Sequence, residues 1–211
     1  MAVEEQVPVA PPHEVRKAEA GEVDVLARTL ARAFYEDPAI MWLLPDDARR
    51  LAASTRAFHT FLRRIWLPHE ETYVAQDGRG VCVWEPPGAW KVGWVDQLAL
   101  LPAVARVYGR GLPRLLSALA RLESNHPREP HYYLPFVGVE PELQGQGIGS
   151  AVMRPILDRC DREGVAAYLE ASTERNRALY ERLGFAVTEQ VKLGRGAPPV
   201  WRMWREPKTN A

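Results

Sequence analysis

His131-Tyr-Tyr-Leu-Pro-Phe-Val-Gly-Val139 runs through Glu140-Pro-Glu-Leu143 into Gln144-Gly-Gln-Gly-Ile-Gly-Ser150, and an apolar-periodic stretch from Ile148 to Glu163 follows. The order is strand, turn, glycine-rich loop, helix N-terminus. Gly145, Gly147 and Gly149 remove side chains where backbone must come close to a ligand, so successive N–H groups can line one concavity. The first turn of the helix adds unpaired N–H groups and the positive end of its dipole, which suits a pyrophosphate. Two nucleotide motifs fail on this loop. A Walker A loop needs Lys followed by Ser or Thr after its last glycine, and there is no lysine. The dinucleotide fingerprint, counted from Gly145, needs a sixth-position glycine where Ser150 stands, and only Glu170 could end the next strand as a ribose ligand.

Upstream, the pattern predicts a strand over Val15 to Ala18 and a helix over Glu22 to Tyr35 that stops before Pro38. A second helix is predicted between Asp46 and Trp66, then strands Thr72 to Gln76 and Val81 to Trp84 around the turn Asp77-Gly78-Arg79-Gly80. Residues 86–130 read as a helical insertion, with helices over Asp96 to Tyr108 and Pro113 to Ser124. Trp84, Trp90 and Trp94 stand near its start, either filling core beneath it or walling an acceptor pocket. After Tyr132 to Val139 and the helix to Glu163, strand Ala166 to Glu170, a short helix Asn176 to Leu183, and strands near Phe185 to Lys192 and Val200 to Trp204 complete an α/β mixed sheet. Gly164 is a natural helix stop, whereas Pro155 falls inside the helix and should kink it unless it lies in the early turns.

The 211 residues, 46% of them hydrophobic, suit one domain over 15–211 behind a flexible tail, 1–14. Lys plus Arg and Asp plus Glu both number 27, with no long run of one sign, which offers a nucleic acid no broad grip. The tail lacks the basic and apolar regions of a signal peptide, and no apolar run is long enough to span a bilayer. With only Cys82 and Cys160, two buried thiols in a reducing cytoplasm are expected.

Gln144-x-x-Gly147-x-Gly149 resembles the Q/R-x-x-G-x-G/A acetyl-CoA signature of the GNAT superfamily of N-acetyltransferases, and Asn176, Tyr180 and Leu183-Gly184-Phe185 resemble the Asn, Tyr and L-G-F turn that follow it there. Ala33-Phe34, the Val81 to Trp84 strand, Glu129-Pro130, Val137-Gly138-Val139, Tyr168 to Ser172 and Tyr180 to Phe185 are similar to the puromycin N-acetyltransferase branch; the resemblance allows a puromycin-like acceptor and an antibiotic-resistance role, but likeness of scaffold does not carry the acceptor pocket with it. The resemblance implies a largely antiparallel sheet splayed at the central strand. It implies that Val137 and Val139 pair with the pantetheine amides, with the Val139 N–H as oxyanion donor, and that Gln144, Gly145, Gln146, Gly147, Ile148, Gly149 and Ser150 hold the pyrophosphate. Asn176 would bond the pantetheine arm or, alternatively, cap a helix.

Acetyl transfer expels a thiolate, so a neutral acid near sulfur helps, and Tyr180 is expected in that role or as a packing group against CoA. Glu170 is a carboxylate that its otherwise apolar strand does not need, which makes it the candidate base; solvation or pairing with an arginine would also account for it. His131, Glu36 and Asp37 are weaker candidates, and none has metal-ligand spacing with a second His or Cys, so no metal is expected. The acceptor site is expected between the first helices and the insertion, where Phe34, Tyr35 and Trp42 could supply walls. Acetyl-CoA as co-substrate and a small-molecule amine as acceptor, in a monomer or homodimer, is the first expectation. A protein N-terminus or lysine as acceptor, and a non-catalytic acyl-CoA-binding module, are the alternatives.

Overall fold

In the computed structural model, which describes residues 13–208 apart from 125, seven strands form one sheet in the order β1-β2-β3-β4-β5-β7-β6. The strands are β1 Val15–Lys17, β2 Thr72–Ala75, β3 Gly80–Glu85, β4 His131–Val139, β5 Ala166–Ala171, β6 Ala186–Lys192 and β7 Pro199–Arg205. Only β4 and β5 run parallel; every other pairing is antiparallel. The helices are α1 Val23–Ala33, α2 Pro38–Leu43, α3 Asp47–Phe61, α4 Trp94–Tyr108, α5 Leu112–Ser124, α6 Ile148–Glu163 and α7 Glu174–Arg182. Residues 1–12 of the expected tail lie outside the described residues.

Strand alternation divides the core in two. Tyr73, Cys82, Trp84, Tyr132, Leu134 and Leu169 face α6, which returns Ile148, Val152, Met153, Ile156 and Cys160, each buried. Val74, Val81, Val83 and Phe136 point the other way, onto Leu26 and Leu30 of α1 and Phe58 of α3. Both cysteines are unbridged and buried. No helix among the described residues is long and apolar enough to cross a membrane.

The feature that shapes the site is a splay. β4 pairs with β5 over only four positions, His131↔Ala166 to Leu134↔Leu169. Pro135 comes next; it has no N–H to give a neighbouring strand. Beyond it Phe136 to Val139 stay paired with β3, while Glu170 and Ala171 turn to β7.

The expected boundaries shift where local chemistry was read one-sidedly. From the sequence, Pro38 reads only as a terminator of the first helix. It is also the first residue of α2, whose N-cap Asp37 accepts from the N–H groups of Ala39 and Ile40 at 2.9 and 3.1 Å. The helix expected from Asp46 to Trp66 is α-helical to Phe61 and then widens into a π turn over Leu62–Trp66. α6 spans the expected residues, passes through Pro155 and stops at Gly164 with φ 67°. The three tryptophans do not form one cluster: Trp84 is core on the α6 face, Trp90 stacks on His126, and Trp94 is 74% exposed. α5 closes over the far end of the sheet, where Ala118 and Leu122 meet Leu193, Ala197 and Val200 of the β6–β7 hairpin and Trp42 of α2.

Candidate active site

A cleft of about 830 Å³ opens at the splay. One wall is Val137 to Val139 of β4, the floor is the loop from Gln144 to Ser150, and the other wall is Asn176, Leu179 and Tyr180 of α7. The turn after α1, from Phe34 to Asp37, forms the rim. Of the expected ligand residues, all but Gln146 line this cleft.

The loop is built as a cradle. Gly145 and Gly147 sit at φ 82° and 85°, values a side chain would strain, and Gly147 caps α6 with no side chain in the way. The first intrahelical bond runs from Ala151 N to Gly147 O at 3.0 Å, so the N–H groups just before it lack helical acceptors, an arrangement that suits an anion. Gln144 ties the cradle to both walls: its Nε2 donates to Val139 O at 3.1 Å and its Oε1 accepts from Arg175 at 3.1 Å. The carbonyl of Gln146 turns outward and accepts from His13 Nε2 at 2.7 Å. Arg175 and Arg182 add positive charge at the cleft edge, a donor set that fits the phosphates and amides of a coenzyme A arm.

Asn176 is in the cleft but does not cap the helix. That part is taken by Thr173, whose Oγ1 accepts from Asn176 N at 3.1 Å, which leaves the Asn176 side chain for a ligand. Tyr180, 6% exposed, packs on Phe185 with its ring in the core. Its hydroxyl has no hydrogen-bond partner among the described residues, and burial pushes the phenol above its ordinary value, with Cys82 and Asp37 adding to the rise. It therefore stays protonated in the resting site.

Glu170 does not line this cleft. It projects from the opposite face of β5, where its Oε1 accepts from Tyr168 Oη at 2.7 Å and its Oε2 from Tyr133 Oη at 2.9 Å. Burial raises its pKa, against the lowering effect of the two phenols and of Arg202. Glu170 and Tyr133 are both part-buried, each keeping some accessible surface. Among the weaker candidates, His131 is engaged at both nitrogens, by Glu129 O at 2.7 Å and His126 Nε2 at 2.9 Å, and burial lowers its pKa. Asp37 lines the cleft, but it spends one oxygen on the α2 cap and the other on Ser172 Oγ. Phe34, Tyr35 and Glu36 reach the rim, whereas Trp42 packs against Gly194 and Arg114 instead. No group of three or more His, Cys, Asp or Glu among the described residues could hold a metal.

Sequence reasoning missed Glu85. It pairs with Tyr133 across the β3–β4 ladder, is 4% exposed, and accepts from Trp66 Nε1 at 3.0 Å through Oε1. Burial raises its pKa to about 7, and Glu170 contributes. The expected strand stopped one residue short of it; the signal was a glutamate continuing the Val81 to Trp84 alternation before Pro86.

The profile of the acetyltransferase (GNAT) family matches residues 38–185, most of the chain and all of the cleft described above except its rim from Phe34 to Asp37 and the end of α1. The chain belongs to the GNAT acetyltransferase family. It is thus an N-acetyltransferase, of a family whose enzymes use an acyl-CoA co-substrate. An uncharacterised N-acetyltransferase of Schizosaccharomyces pombe is 27% identical over 209 residues, which cover 93% of this chain and 84% of that one. A Corynebacterium glutamicum structure described as histone acetyltransferase HPA2 and related acetyltransferase superposes with a TM-score of 0.73 at 23% identity, over 95% of this chain and 99% of its own. Drosophila melanogaster polyamine N-acetyltransferase, which forms N-acetylagmatine, gives 0.61 at 16% identity, over 92% and 99%. These two likenesses are of fold.

Proposed function

We propose that this enzyme moves the acetyl group of acetyl-CoA directly to the amine of a small molecule, with Tyr180 as acid and Glu170 as base. The observation that carries this reading is the opening between β4 and β5: a protonated, unpartnered phenol lies on the cleft side and a raised carboxylate on the other face. On the cleft side, Val137 and Val139 offer backbone groups that β5 does not use, which suits the amides of the pantetheine arm as an added strand. The Val139 N–H is the donor for the oxyanion of the tetrahedral intermediate. The loop from Gln144 to Ser150 holds the pyrophosphate, and Asn176 holds the arm.

The balance is simple. An ammonium acceptor loses one proton to Glu170, directly or through a water, and its lone pair attacks the thioester carbon. The C–S bond breaks, Tyr180 gives its proton to the departing sulfur, and the second nitrogen proton leaves as the amide forms. The products are the amide, free CoA thiol and one net proton.

Two neighbours point to different acceptors. The Drosophila enzyme forms N-acetylagmatine, a small amine product, while the C. glutamicum description names a histone acetyltransferase. The packing of α5 on the β6–β7 hairpin and Trp42 encloses that end of the sheet, which favours a small acceptor over a peptide. The test is release of CoA thiol from acetyl-CoA across puromycin, agmatine, polyamines, arylalkylamines, amino acids, aminoglycosides and peptide N-termini. A small amine turned over by the wild type and poorly by Tyr180→Phe supports the reading. Turnover confined to peptides, or acetyl-CoA binding with no turnover of any acceptor, overturns it.

A further inference from the structure

The peptide between Gln146 and Gly147 has two faces of opposite chemistry, and nothing within the loop fixes which one the cleft receives. All peptides of the described chain are trans, and in a trans peptide the carbonyl and the following N–H point to opposite sides. Turning this one over changes only ψ of Gln146 and φ of Gly147. Gly147 stands at φ 85°, and glycine adopts φ of either sign about equally well. One orientation gives the cleft an N–H donor. The other gives it a carbonyl oxygen, which repels a phosphate.

His13, just ahead of β1, decides between them. The pairing of Val15 with Ala75 brings the chain before β1 past the end of β2 and up to the loop. His13 Nε2 lies 2.7 Å from Gln146 O, and its Nδ1 lies 3.3 Å from Gln76 Nε2. Gln146 O can only accept, so Nε2 donates, and Nδ1 accepts from the Gln76 amide. A single neutral imidazole has both nitrogens engaged, held from the β2–β3 turn while it grips the loop. A Cβ on Gly147 would stand 3.9 Å from Nε2, so the ring lies against the peptide that it bonds. With the carbonyl drawn outward, the Gly147 N–H turns inward. Gly147 lines the cleft and the exposed Gln146 does not, and the Gly147 N–H has no acceptor among the described residues.

Resting on the reading that the loop from Gln144 to Ser150 holds the diphosphate of acetyl-CoA, we propose that His13 is a positioning residue for the co-substrate. By holding Gln146 O outward it keeps the Gly147 N–H aimed at the diphosphate. His13 touches no reacting atom, and its effect falls on the phosphate end of the co-substrate rather than on the thioester. Without it the loop spends part of its time with a carbonyl where a charge-assisted donor should be.

The experiment measures binding by calorimetry of two probes, CoA and pantetheine, which carries the thiol and both amides but no diphosphate. His13→Phe keeps a ring and removes the donor; the Kd for CoA should rise about tenfold, the loss of one hydrogen bond to a charged group, and the Kd for pantetheine should not follow. His13→Gln, whose amide can still donate to Gln146 O, should recover most of the affinity. Gln76→Met, which frees the ring at its other nitrogen, should act in the same direction by less, and it carries the test if His13→Phe folds poorly. Amide NMR supplies the signature: the Gly147 proton should move downfield when CoA is added to the wild type and lose that response in His13→Phe. A Kd for CoA unmoved in both variants, a rise shared equally by pantetheine, or a Gly147 response that survives without the imidazole overturns the role of His13 and leaves the phosphate loop standing. A wild type that binds CoA no better than pantetheine, with the Gly147 amide unmoved, overturns the loop reading and the proposal with it.

Discussion

Gly80 is where the α6 face of the core meets the glycine-rich loop, and Gly80→Ala tests how tightly the two are joined. Gly80 opens β3 and pairs with Val139. A Cβ added there would fall inside contact distance of Ile148 Cγ2, and the Ile148 side chain is 2% exposed, so it has nowhere to turn. Overpacking of this kind costs about 1–3 kcal/mol. At about 2–4 °C per kcal/mol for a chain of this size, Tm should fall by about 2–12 °C. Because Ile148 is the first residue of α6, relief by movement tilts the N–H groups proposed to hold the pyrophosphate. KM for acetyl-CoA should therefore rise while kcat at saturation is largely kept. The specific cause is isolated by a double-mutant cycle with Ile148→Ala, which removes the clashing methyl. That change alone costs about 2–5 kcal/mol, and the pair should show a favourable coupling of at least about 1 kcal/mol. Urea unfolding of the four proteins measures it. Costs that add within about 0.5 kcal/mol would refute the steric argument.

Tyr180→Phe should lower kcat by about 10²–10⁴ with KM for acetyl-CoA little changed, read by single-turnover thiol release. Asp161→Asn leaves the buried Arg205, 3% exposed, without the carboxylate it bonds at 2.7 Å, and should destabilise by about 3 kcal/mol at neutral pH, read in urea. Arg205 holds the Asp161 carboxyl below its ordinary pKa, so this contribution is present above the unfolded-state value and lost as pH falls through the folded-state one. The gap between wild type and variant should close in acid. Cys82 and Cys160 are buried with their thiols pushed up by desolvation, so neither should react with a disulfide reagent until the protein unfolds.

What could be read from the sequence was whatever local geometry alone decides. The loop from Gln144 to Ser150 and the helix from Ile148 to Glu163 needed only glycine conformation and apolar period, and both lie where expected. The splay could be expected only through a family resemblance, since the register that creates it is a property of three strands together. α2 was hidden because Asp37-Pro38 reads as the stop of the first helix, whereas that helix ends at Ala33 and Asp37-Pro38 starts the next one. Glu85 was hidden for a similar reason. A glutamate at a strand end is ordinarily solvated, and only the fold of the Leu62–Trp66 turn over it, with Trp66 as donor, makes it a buried carboxyl. Likewise nothing in the local sequence marks Arg202 and Arg205 of β7 as buried, yet each is, against an acid brought from elsewhere in the chain.

Four residue pairs join the halves of the sheet, β1 to β4 and β5 to β7. A seam this short makes the co-substrate, on the proposed reading, a missing stave: a pantetheine arm lying against Val137 and Val139 would brace a gap that the chain does not close itself. Each release of CoA would then remove that brace, and the enzyme would alternate between a stiffened and a loosened body once per turnover. Amide exchange at Phe136 to Val139 should slow when acetyl-CoA is added and recover when it is washed out, while exchange along the continuous β2–β3 pairing stays constant.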